Sequence, residues 1–141
     1  MNEQDEFSST IEWLKIARKD WNRIDYMLEN EDFEAAGFFL QQSLEKYLKA
    51  FLLKHGWRLK KIHELDALLD NAIEYNSDLE NYQNLCERVS GYYFADRYPP
   101  LSALELSYDD IEKDLEEAKK FIKTLFPNEE LKGLEQPGGN S

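Results

Sequence analysis

Apolar residues along this chain recur in steps of three and four, the spacing that gathers them on one side of an α-helix. Leu14, Ala17, Trp21, Ile24 and Leu28 form the first such stripe. Ser9 and Glu12 precede it at the spacing of a capping box, where two side chains satisfy backbone N–H groups left free by the first turn. Asn30 to Asp32 interrupt the pattern with turn-forming residues, and Asp32 is placed to cap a second helix. That helix carries Phe33, Ala36, Leu40, Leu44, Tyr47 and Phe51 on one stripe. Phe39, Leu48 and Leu52 widen its apolar face, so it reads as the most buried element. Gly56, which takes left-handed backbone without strain, ends it.

A shorter helix is predicted from about His63 to Tyr75, with Leu65, Leu68, Leu69, Ala72 and Ile73 facing inward. Ser77 and Glu80 have capping-box spacing again and open a fourth stripe of Leu79, Tyr82, Leu85, Cys86, Val89 and Tyr93. Pro99 and Pro100 cannot sit inside a helix, so Ala95 to Ser107 reads as a loop. Ser107 then caps a last helix bearing Ile111, Leu115, Ala118, Ile122 and Leu125, which Pro127 stops. The pattern predicts an all-α fold: an antiparallel up-and-down bundle of four long helices plus one short helix, over residues 8–127. Residues 128–141, rich in Gly, Pro, Glu and Asn, read as a disordered C-terminal tail.

With 42% hydrophobic and 13% aromatic residues, the 141-residue chain can fill one core. It has no run of the roughly 18 to 20 apolar residues that a membrane helix needs, and its acidic start is unlike a signal peptide. The expectation is a cytoplasmic protein without membrane association. The one cysteine, Cys86, falls on an inward stripe and reads as a small buried side chain.

A net charge of −12 disfavours loose binding of polyanions. The charge is unevenly distributed, because Lys46, Lys49, Lys54, Arg58, Lys60 and Lys61 follow one another up to His63 with no Asp or Glu between them. Lys46 and Lys49 lie along one side of the second helix with Gln42 and Glu45; they either hold a phosphate or form ordinary surface pairs. Arg58, Lys60 and Lys61 precede His63 at the start of the third helix. They either draw an anion to that helix terminus or offset acidic neighbours while His63 caps it. Arg97 and Tyr98 follow Tyr92, Tyr93 and Phe94, where the guanidinium either clamps a phosphate or ties the long loop to the bundle. One cysteine and two histidines supply no zinc set, and neither a Glu-x-x-His pair nor a glycine-rich phosphate loop occurs. No metal and no cofactor is expected.

Together these segments resemble the HEPN family of small helical domains found with nucleotidyltransferases and in toxin–antitoxin systems. The resemblance rests on Ala17-Arg18-Lys19-Asp20, Asp32-Phe33-Glu34-Ala35-Ala36, Gln41-Gln42 with Glu45-Lys46 and Leu48-Lys49-Ala50, Ile62-His63-Glu64-Leu65 and Arg97-Tyr98-Pro99, spanning about residues 8 to 126. It implies a bundle of four to five helices, usually dimeric, that binds nucleotides or cleaves RNA. Ribonuclease members carry an Arg followed after four to six residues by His. No His follows Arg97, and Phe39 stands where many members place a His. Arg58 and His63 match that spacing only by number, in the basic loop. The favoured expectation is a non-catalytic module that binds a nucleotide or RNA, as a homodimer, with a minimal nucleotidyltransferase or toxin–antitoxin partner. The rival is a metal-independent ribonuclease using His63. Trp13, Phe38, Tyr92 and Phe94, left near the margins of the stripes, are the expected dimer surface.

Overall fold

The computed structural model describes residues 3–58, 60–97 and 107–131, with side chains from residue 9 onward and, in the fourth helix, as far as residue 93. Its elements are α1 (Glu3–Glu29), α2 (Phe33–Lys54), α3 (Leu65–Ile73), a 3₁₀ helix (Ser77–Tyr82), α4 (Gln83–Arg97) and α5 (Tyr108–Leu125), with no strand among the described residues. The all-α bundle read from the stripes is therefore the fold.

Side-chain pairs between the helices fix its up-and-down order. Trp13 meets Lys49, Asp20 meets Lys46 and Arg23 meets Phe39, so α1 and α2 run antiparallel. Tyr82 meets Thr124, Arg88 meets Glu117 and Tyr92 meets Asp114, so α4 and α5 do too. Phe33 meets Tyr108 and Tyr47 meets Phe126, which makes α2 and α5 parallel. α2 packs against α1, α3, α4 and α5, and its Ala36, Leu40, Leu44, Tyr47 and Leu48 are wholly buried. Its ends are built as expected: Asp32 accepts from the Ala35 N–H, and at Gly56 (φ 87°) the N–H groups of Gly56 and Trp57 bond to the carbonyls of Leu53 and Leu52.

Several boundaries differ from the sequence reading. α1 is already helical at Glu3, so Ser9 and Glu12 lie inside it and form no cap. α3 begins at Leu65 with Glu64 as its cap residue, which leaves His63 in the preceding loop. The segment from Ser77 is 3₁₀ before it becomes α-helical, and the side chain that caps it is Asn76, bonded to the Asp78 N–H. α4 continues through Ala95 to Arg97, since a proline restricts the residue before it and leaves those further back free to be helical. Ser107 and Asp110 do form a capping box on α5. Tyr92, expected at the margin, is buried, and its hydroxyl donates to Asp114 at 2.5 Å; Phe94 lies outside the described side chains. Cys86 is buried, and burial, reinforced by Asp66 and Glu117, pushes its thiol up to about 12.

The largest departure concerns the tail. Glu129 is 5% exposed and accepts from Tyr47 Oη (2.6 Å), Arg18 Nε (2.7 Å) and Arg18 Nη2 (2.8 Å). The segment after Pro127 thus folds back onto α1 and α2, and only residues 132–141 of the expected disordered stretch fall outside the described residues.

Gly37 marks the closest approach of α2 to α4. A Cβ there would stand 2.9 Å from Tyr92 Cγ and 3.0 Å from its Cβ, atoms near the backbone that cannot swing aside. Gly37→Ala gains helix propensity of up to about 1 kcal/mol. Overpacking outweighs it, and a net loss of about 1 to 2 kcal/mol is expected in urea denaturation. An unchanged midpoint would mean that α4 shifts without cost.

Candidate functional site

The long polar side of α2 does not face open water. Glu45 and Lys49 are 5% and 2% exposed, so they are not the ordinary surface pair of the plainer reading, and Gln41, one turn before Glu45, is 4% exposed beside them. Buried charge and amide groups need partners, and here they find one another. Lys49 Nζ donates to Glu45 Oε2 at 2.9 Å, and Gln41 Nε2 reaches Glu45 Oε1 at 3.4 Å. Gln42 Nε2 donates to Gln41 Oε1 at 2.6 Å, while Lys46 Nζ donates to Gln42 Oε1 and to Asp20 Oδ2, both at 2.9 Å. Arg23 closes the row on the other oxygen of Asp20, at 2.7 Å. From Arg23 to Lys49 the seam between α1 and α2 is one connected row of charged and amide groups.

His63 joins this row from the loop before α3. Its Nδ1 lies 3.0 Å from Glu45 Oε2 and 3.1 Å from Lys49 Nζ, while two thirds of its side chain stays exposed. The loop therefore does more than cap a helix: it brings the imidazole onto α2, with Nδ1 engaged and no partner for Nε2 among the described residues.

These groups floor a cleft of about 720 Å³. Trp13 of α1 and Ser90 and Tyr93 of α4 line it beside the α2 floor, and Glu64, Leu65 and Asp66 edge it near His63. Lys49 Nζ is 5.2 Å from the Trp13 ring centre, within cation–π range. Tyr93 packs on Phe38, with ring centres 5.7 Å apart. A second hollow of about 370 Å³ lies beside Arg18, Trp21, Tyr47 and Glu129.

The cleft thus gathers Lys46, Lys49 and His63 from the candidates named by sequence. Arg58, Lys60 and Lys61 lie exposed in the loop that leads to His63, and Lys60 rests on Trp57 at 5.7 Å. Arg97 is the last residue of α4; its side chain, together with Tyr98, lies outside the described residues. Trp13 and Tyr93 were missed as lining residues, because an aromatic on a helical stripe is indistinguishable from core by spacing. Asp20 and Gln41 were missed as well. The signal that could have found them is a polar residue on the apolar side of a helix otherwise filled with Ala17, Trp21, Leu40 and Leu44. No group of three or more His, Cys, Asp or Glu side chains suited to a metal ion occurs among the described residues.

The helices thus form a bundle with a polar cleft where α1, α2, α4 and the loop before α3 meet. The HEPN domain family model matches residues 10–131, and the chain belongs to that family. The match runs through Glu129 and beyond the boundary at residue 127 that the stripes suggested. No curated protein and no solved structure matches the chain. No helix among the described residues is long and apolar enough to cross a membrane.

Proposed function

We propose that the cleft binds a nucleotide, free or as one unit of a short RNA, without cleaving it. The observation that carries this reading is the composition of the cleft: the Trp13 and Tyr93 rings beside the Gln41 and Gln42 amides, with His63 at the rim. Flat rings and amides suit a nucleobase, which offers a π-face and hydrogen-bonding edges. The phosphate extends toward His63 and the loop of Arg58, Lys60 and Lys61, since residue 61 is within about 7 Å of residue 63 even in extended chain. Arg97 and Tyr98 are proposed as further phosphate contacts, as residue 97 follows Tyr93 by one helical turn. Lys46 and Lys49 hold the floor together.

Titration of labelled mononucleotides and short RNAs at low and moderate salt tests the proposal. Binding is expected to weaken as salt rises, because each neutralised phosphate releases counterions, and Lys60→Ala with Lys61→Ala should flatten that dependence. No binding at low salt would leave only a structural partner subunit. A second reading, metal-independent RNA cleavage, is favoured by one observation: Glu45 holds His63 Nδ1 and leaves Nε2 free for proton transfer. RNA products on a gel that vanish with His63→Ala would establish it.

The proposed setting is a homodimer working with a minimal nucleotidyltransferase or a toxin–antitoxin partner. Ile11, Ile16 and Tyr26, exposed along α1, support a protein surface there. Light scattering at micromolar concentration should find twice the chain mass.

A further inference from the structure

We infer that an anionic ligand enters the cleft together with a proton, which His63 takes up at Nε2. This rests on the nucleotide-binding reading and adds to it how the charge of the ligand is met. The cations already in the floor are committed. Lys46 is held by Asp20, which also holds Arg23, and Lys49 is held by Glu45. The other charged groups lining the cleft, Glu64 and Asp66, are acidic. An arriving phosphate therefore meets floor cations that each already face a carboxylate, Lys46 sharing Asp20 with Arg23, and Lys61, two residues before His63, is the nearest further basic residue in sequence. α1 contributes only Trp13 to the lining, and α4 contributes Ser90 and the Tyr93 phenol.

His63 can supply the missing charge. Its Nδ1 faces Glu45 Oε2 at 3.0 Å, but that oxygen also accepts from Lys49 at 2.9 Å, so the charge of Glu45 is already matched within the floor. Lys49 Nζ at 3.1 Å opposes a second positive charge on the ring. A phosphate beside Nε2 reverses the balance. Lys49, Glu45 and a neutral imidazole sum to zero; adding the anion favours imidazolium, with Nδ1–H on Glu45 and Nε2–H on the phosphate. The proton comes from solvent, and no other bond changes.

Calorimetric titration of the full chain with AMP, near neutral pH in Tris and in PIPES, reads the proton directly, because the two buffers release one with different heats. The expected result is a binding enthalpy that differs between buffers, corresponding to uptake approaching one proton. Adenosine, without the phosphate, should show no such difference. AMP affinity should fall as pH rises, by at most about tenfold per pH unit, the limit for one linked proton. His63→Gln keeps a hydrogen-bonding side chain at an exposed position. It should bind AMP with equal heats in both buffers and a flat pH dependence, which also separates His63 from protonation of the phosphate itself. AMP binding with equal heats for the unmodified protein, or buffer dependence retained in H63Q, would overturn the inference alone. No heat with AMP, GMP, CMP or UMP would overturn the nucleotide-binding reading and this inference with it.

Discussion

Glu129→Ala is expected to lower stability by about 2 to 3 kcal/mol, although the residue lies beyond the last helix. Its side chain is 4% exposed and ties the end of the bundle to α1 and α2. Losing it leaves the wholly buried Tyr47 hydroxyl without its acceptor, a cost of about 1 to 3 kcal/mol. The Arg18 bonds add less, because that side chain is 48% exposed and water can replace the carboxylate. The same clasp sets limits in pH. Burial pushes the Glu129 carboxyl up, but hydrogen bonds from Arg18 and Tyr47 and the Arg18 charge more than offset this, so its pKa is lowered overall. Its contribution is therefore complete above the unfolded carboxyl value, near 4.5, and is lost as pH falls through the lower folded value. Burial, then the bond to Glu129, raises the Tyr47 phenol well above 10, so its contribution is complete below about pH 10 and declines as pH rises above that. Urea midpoints for the unmodified chain and the variant should converge in acid. Equal midpoints at neutral pH would show that the Glu129 clasp carries no stability.

How much of this was legible beforehand follows from what each feature depends on. Ala17, Trp21 and Ile24, or Ile111, Leu115 and Ala118, declare themselves by spacing, since burial on one helix face is a local property of the sequence. Caps such as Asp32 and Gly56 are equally local. Ser9 and Ser77 failed as caps because the competing start, at Glu3 and at Asn76, lies only a few residues away and the motif does not rank alternatives. The site is less legible. Lys46, Lys49 and His63 were singled out for their positive charge, yet what distinguishes them is which acid each meets, and Asp20 is 26 residues from Lys46 while Glu45 is 18 from His63. Glu129 sits among residues of disordered composition, and only its distant partner Arg18, 111 residues away, gives it a place. Composition describes a segment's own capacity to fold and is silent about a single long-range anchor.

Lys49→Met should be the most damaging change in the cleft, at about 3 kcal/mol. Both Lys49 and Glu45 have side chains less than a tenth exposed, 3% and 7% respectively. Removing one member of a buried ion pair leaves the other charge without compensation, typically a loss of about 3 to 5 kcal/mol. The low end is expected because His63 Nδ1 already lies 3.0 Å from the same oxygen and can bring a proton to it. The carboxylate itself causes most of the damage, so adding Glu45→Gln should recover the larger part of the lost stability, the amide and thioether having no charge to bury. His63→Gln combined with Lys49→Met should instead deepen the loss, because it removes the one group able to stand in for the ammonium. A cycle of these variants by urea denaturation isolates the coupling, which two independent residues would not show. If Lys49→Met is tolerated and the Glu45→Gln change adds nothing, the pair is solvated and the floor of the cleft is not the closed, charge-matched surface that its distances describe.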